Sequence, residues 1–169
     1  MKRAIILFPV FENQQVIESI RKKYDPLAGF IPPHLTLVFP FDSTFSSEEL
    51  RLHVEHALAG VKSFRVRLSG FSGDFRDGYL FLNVKTGNDP IIELHDRLYT
   101  GILQPFLFRK LQYCPHLTVG KVEQPDNFEK ALEELGSMNE QFEGVIDQVC
   151  IDNIDAGEHS VPECFFYLE

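Results

Sequence analysis

The chain has no tryptophan, two methionines and three cysteines among its 169 residues. Cys114, Cys150 and Cys164 are odd in number and lack C-x-x-C spacing, which argues against a disulfide framework or a zinc site. They read as reduced thiols of a cytosolic protein. No apolar run approaches the ~20 residues needed to span a bilayer, so no membrane role is expected. The opening MKRAIILFPVF has the basic start of a secretory leader, but it stops at Glu12-Asn13 without a small-residue cleavage site. A buried first strand is the better reading. Walker and Rossmann glycine patterns are missing too, so no nucleotide cofactor is implied.

What is present suits a packed interior. Hydrophobic residues make up 44% of the chain, 16 of its residues are Phe, and 169 residues fit one domain, so disorder is excluded. The net charge of −9 looks wrong for a protein that handles nucleic acid. Its distribution is uneven. Residues 1–121 hold 15 Lys/Arg against 12 Asp/Glu, whereas residues 122–169 hold one Lys against 13 Asp/Glu. A long RNA tracked along a basic groove is disfavoured, but a small or terminal phosphate ligand is not.

The element order repeats. Residues 3–10 suit a central strand, and 12–24 a helix with Val16, Ile17 and Ile20 on one face. A strand at about 34–39 follows, then a helix from Ser46 to Ala59 stopped by Gly60, and an alternating strand over 62–69. The second round has a strand at 79–85, a helix over 89–103 opened by Asp89-Pro90, a strand at about 115–121 and a helix from Asp126 to Leu135. Strands at about 142–152 and 163–168 close the chain. Two copies suggest two related lobes rather than a solenoid.

At the same place in each round stands the same string, Pro33-His34-Leu35-Thr36 and Pro115-His116-Leu117-Thr118. Strand alternation sends His34 and Thr36 to one face and Leu35 and Leu37 to the other, and likewise His116 and Thr118 against Leu117 and Val119. With the two faces opposed, two imidazoles and two hydroxyls meet in one cleft. A neutral histidine can then take a proton from water while a protonated one gives a proton to a leaving oxygen. The threonine hydroxyls can donate to non-bridging phosphate oxygens.

With these residues the chain resembles the two-histidine (2H) phosphoesterase superfamily, which includes RNA 2′,3′-cyclic phosphodiesterases and 2′-5′ RNA ligase-like proteins. The resemblance implies an α+β, bilobal, pseudo-duplicated fold: two antiparallel sheets lining a central cleft, helices outside, and interleaved lobes forming one domain over residues 1–169. It implies His34 and His116 as catalytic groups, Thr36 and Thr118 as phosphate-binding groups, and no cofactor or metal. Which histidine acts as base does not carry over. Lys121 matches the family's basic residue after the second motif, yet alternation would turn it away from His116 unless a bulge at Gly120 intervenes. Phe39 holds the corresponding position after the first motif.

Tyr79 and Phe81 share a face and could stack on a base, or form a second layer of core. Arg65 and Arg67 read as solvent-exposed. Cys114 reads as an inert thiol. His53 and His56 on one helix lack further ligands for a metal. His95 reads as part of a charged helix surface and His159 as part of an exposed loop. The expected protein is a cytoplasmic, monomeric hydrolase with a small nucleotide or RNA-end substrate and no obligate protein partner. The rival readings are a module that only binds a phosphorylated ligand or RNA end, and a phosphoesterase for a non-nucleotide substrate.

Overall fold

A computed structural model describes all 169 residues. Eight strands are formed: β1 (Lys2–Leu7), β2 (Leu35–Asp42), β3 (Phe64–Asp74), β4 (Tyr79–Thr86), β5 (His116–Lys121), β6 (Gln141–Ile146), β7 (Gln148–Ile154) and β8 (Ser160–Tyr167). Four α-helices, α1 (Gln14–Tyr24) after β1, α2 (Ser47–Leu58) after β2, α3 (Asn88–Leu98) after β4 and α4 (Pro125–Gly136) after β5, are set among them.

All eight strands pair antiparallel in one sheet, in the order β6-β3-β4-β5-β2-β1-β7-β8. The expected two sheets are thus joined, and the joint is a single registered pair, Leu35 with Leu117, between the motif strands β2 and β5. Asp147 alone links β6, at one edge, to β7, next to the other edge. Near it, the Glu169 carbonyl accepts from the Ser63 N–H at 2.8 Å, and the Leu168 N–H donates to Asp147 at 2.8 Å. The two outer ends of the sheet therefore meet, and the sheet must be rolled.

Alternation explains the two faces. Ile5, Leu7, Leu35, Leu37, Leu117 and Val119 are fully buried on the convex face, where they belong to the main apolar core. Burying each such side chain contributes about 1.5–3 kcal/mol. Ala4, Ile6 and Cys150 form a separate small cluster on the concave face. Arg3 is buried with the convex set. It donates to Glu163 at 2.7 Å and to the Phe45 carbonyl at 2.9 Å, tying β1 to β8 and to the start of α2. That helix opens on a reciprocal cap, in which the Ser46 hydroxyl accepts from the Glu49 N–H and the Glu49 carboxylate accepts from the Ser46 N–H.

Two expected elements are corrected. The helix expected over 89–103 ends at Leu98 and is followed by a separate 3₁₀ turn, Gly101–Phe106, entered with Gly101 at φ 47°. Its start is set by Gly87 at φ 94°, not by Asp89-Pro90, and a Cβ there would lie 2.9 Å from the Arg65 carbonyl oxygen. The strand expected over 142–152 is two strands, broken at Asp147 where the chain crosses from one side of the sheet to the other.

Candidate functional site: a two-histidine cluster on the concave face

The motif strands lie side by side. Continuing the Leu35–Leu117 register by one residue each way sets His34 across from Thr118, and Thr36 across from His116. The four residues come together because their strands are neighbours in one sheet, not because two sheet faces oppose one another. All four are half-buried, while the leucines between them are fully buried on the other face.

Each imidazole is held the same way. His34 Nδ1 lies 3.0 Å from the Pro32 carbonyl oxygen, and His116 Nδ1 lies 2.7 Å from that of Cys114. A carbonyl only accepts, so Nδ1 carries the hydrogen in both rings and Nε2 is the atom that gains or loses a proton. Both carbonyls belong to residues that precede a proline, which restricts them to extended backbone. The proline of each string thus aims the acceptor. On the first strand the segment is further held by buried Arg21, which donates to Asp25 at 2.7 Å and to the Ile31 carbonyl at 2.8 Å.

Burial lowers both histidines from the ordinary value of 6.5. The carbonyl bonds oppose this in each case. For His34 the charges of Arg21 and of His116 push in the same direction as burial, while that of Asp25 opposes them.

Lys121 does not point away from the site. β4 and β5 pair Phe81 with Thr118 but Leu80 with Gly120, so β5 carries one extra residue between them. The bulge returns Lys121 to the face of Tyr79, its cross-strand partner, and Lys121 Nζ sits 5.3 Å from the Tyr79 ring centre. Gly120 faces inward, where a Cβ would meet that of Tyr24 at 2.6 Å. β2 shifts register at the same offset from its histidine, between Thr36 and Val38.

Phe81 packs on His116 at 4.2 Å between ring centres and stacks on Tyr79 at 6.2 Å, so both aromatics belong to the concave face beside the second motif. Asn83, across from His116, is a neighbour that the sequence reading missed, although it continues the alternation of Tyr79 and Phe81. Its side-chain oxygen accepts from Ser72 at 2.7 Å. Phe8 meets His34 edge-on at 6.4 Å. Tyr113, also missed, spans the two motifs: from just before the second it donates to the Thr36 carbonyl at 2.8 Å.

Buried His95 stacks on Tyr113 at 3.8 Å, so its place on an exposed helix surface is corrected. Arg65 and Arg67 lie on β3 beside edge strand β6 and two strands from β5, with Arg65 exposed and Arg67 half-buried. His53 bonds the Leu98 carbonyl at 2.9 Å, and His159 stacks on Phe30. Cys114 is exposed, and it is its carbonyl that serves His116. No group of three or more His, Cys, Asp or Glu is placed to hold a metal ion.

Residues 9–158 match the family model described as the 2'-5' RNA ligase superfamily. The chain belongs to this superfamily, the 2H phosphoesterases. A Bacillus licheniformis protein named "Putative phosphoesterase" is 30% identical over 171 residues, covering 98% of each chain. A Geobacillus protein named likewise is 29% identical over 170 residues, covering 98% of this chain and 95% of its own. Among solved structures, Escherichia coli LigT complexed with 3'-AMP superposes with a TM-score of 0.66 at 16% identity, covering 99% of this chain and 97% of its own. A Thermus thermophilus protein reaches 0.67 at 18% identity, covering 99% and 98%. These superpositions share the fold. Membership and the relatives' names make this 2H protein an enzyme of the phosphoester-acting type. No helix is long and apolar enough to cross a membrane.

Proposed function

We propose that this chain hydrolyses a 2′,3′-cyclic or 2′-5′ phosphodiester on a nucleotide or RNA end by two-histidine acid–base catalysis without a metal. The observation that carries this reading is the matched pair of imidazoles, each with Nδ1 committed to a carbonyl and Nε2 left for proton transfer. One Nε2, neutral, takes a proton from the attacking water. The other, protonated, gives its proton to the leaving sugar oxygen as the P–O bond breaks. Thr36 and Thr118 donate to the non-bridging oxygens, where charge builds. Lys121 adds a positive charge on the same face, and the Phe81–Tyr79 stack offers a surface for the second base of a 2′-5′-linked substrate.

The test is turnover of 2′,3′-cyclic nucleotides in EDTA by wild type, His34→Ala and His116→Ala. Each variant should lose at least about a hundredfold, as expected for a removed general acid or base. Wild type that binds these nucleotides without turning them over would falsify the hydrolase reading and leave a module for holding phosphorylated ligands.

A further inference from the structure

Resting on the nucleotide reading above, we infer that a cavity beside the first motif is a base subsite that accepts an amino-bearing pyrimidine ring, cytosine in preference to uracil. The cavity measures about 150 Å³ and is lined by His34 and Thr36 together with Asp152 and Ser160. A cavity of about that size holds one six-membered ring. Ala4, Ile6, Ile31 and Ile154 give it aliphatic walls.

Of its polar groups, Asp152 and Ser160 only accept, whereas His34, Thr36 and Lys2 can donate. Asp152 is fully buried, and one of its carboxylate oxygens receives the Ser160 hydroxyl at 2.6 Å. The other carboxylate oxygen is buried with no partner. A hydroxyl has a single hydrogen, and that of Ser160 is committed to Asp152, so a ligand meets Ser160 through its lone pairs. The 4-amino group of cytosine donates to such acceptors. The 4-oxo group of uracil sets lone pairs against lone pairs. Asp152 is closed to the cavity's open space, so the ligand's amino group meets the pair through the half-buried Ser160 oxygen, which Asp152 orients. The charged groups Lys2 and Glu158 also border the cavity.

Position agrees with this assignment. Asp152 stands across from Ala4, and Thr36 across from Ile6, so all four share the concave face. Two strand spacings, about 10 Å, separate β2 from β7, where the Ser160 hydroxyl of β8 reaches back to Asp152, which suits one nucleotide with its phosphate at Thr36 and its base against the Asp152–Ser160 pair.

The experiment measures binding of 3′-CMP and 3′-UMP by calorimetry, and turnover of the two matching 2′,3′-cyclic nucleotides. Wild type should favour the cytidine ligand by about tenfold or more in Kd, within the discrimination of one good base contact. In Asp152→Asn the new amide can donate to Ser160, which frees the hydroxyl to donate in turn, so the preference should fall to parity or invert. A wild-type preference within twofold overturns the inference, as does an unchanged ratio in a folded Asp152→Asn protein. Equal, efficient turnover of both nucleotides overturns the subsite and leaves the hydrolase reading intact. Cytidine-selective binding without turnover does the reverse.

Discussion

The two motif strands share a backbone plan and differ in nearly everything around it. In both, Nδ1 of the histidine bonds the carbonyl two residues earlier, and the register shifts after the threonine. Around His34 stand Phe8, the aliphatic cavity and the buried charge of Arg21. Around His116 stand Phe81, Asn83 and Lys121. Orientation of the imidazoles comes from backbone and proline, which both halves keep. The side chains across the strands are free to diverge, so recognition can be divided between the halves while proton transfer stays matched.

If the halves act as one unit, losing both histidines costs little more than losing one. Under the proposed mechanism His34→Ala and His116→Ala each cost at least about a hundredfold in kcat. The double variant should be only a few-fold slower than the worse single, because groups that act together are far from additive. A double loss equal to the product of the singles, in single-turnover measurements, would separate the two histidines into independent roles.

Next in size are the hydroxyls. Thr36→Val and Thr118→Val each remove a donor to a charged oxygen, an interaction of about 1.5–3 kcal/mol, so each should lower kcat/KM by roughly ten- to a hundredfold. Steady-state kinetics with a cyclic nucleotide reads this directly, and an unaffected variant would show that its half does not hold the phosphate.

The pH profile tests the shared environment. Burial disfavours the protonated form of both rings, so both titrate below 6.5 in the free enzyme. Activity falls with acid as the base becomes protonated, and falls with alkali as the acid loses its proton. The bell of kcat/KM should therefore centre below pH 6.5. Anionic substrate favours the protonated rings, so the kcat profile should lie at higher pH. A kcat/KM optimum above 7 would contradict the burial argument.

Lys121 sharpens the difference between the halves, because Phe39 stands at the corresponding place after the first motif. Lys121→Ala should raise KM several-fold at low ionic strength, with the effect shrinking as salt is added, since an exposed charge is screened. Its contribution also marks where sequence reading stops. Hydrophobic alternation made the Pro-His-Leu-Thr strands, the two faces and most of the helices legible, because a period of two or 3.6 is local. The bulge that turns Lys121 back needs Gly120 packed against Tyr24 and Leu80, and no local pattern carries that contact. The joining of two expected sheets at Leu35–Leu117, the break at Asp147 and the burial of His95 against Tyr113 are likewise long-range facts. Asp152 hides for the same reason, since an Asp within a strand reads as solvent-facing until the chain beyond it folds over.

The smallest expected effect belongs to Tyr113, which joins the halves without touching the phosphate in the proposed mechanism. Tyr113→Phe removes one hydroxyl and leaves the Thr36 carbonyl without that donor, while the ring can keep its stack on His95. The loss of one such bond should cost about 1 kcal/mol in urea unfolding. Because the bond runs from the second motif's approach to the first motif's backbone, its loss should also slow turnover a few-fold, with little change in KM. Loss of stability with unchanged kcat would mean that β2 and β5 hold their spacing through the Leu35–Leu117 pair and the core beneath it, and that Tyr113 only fills space.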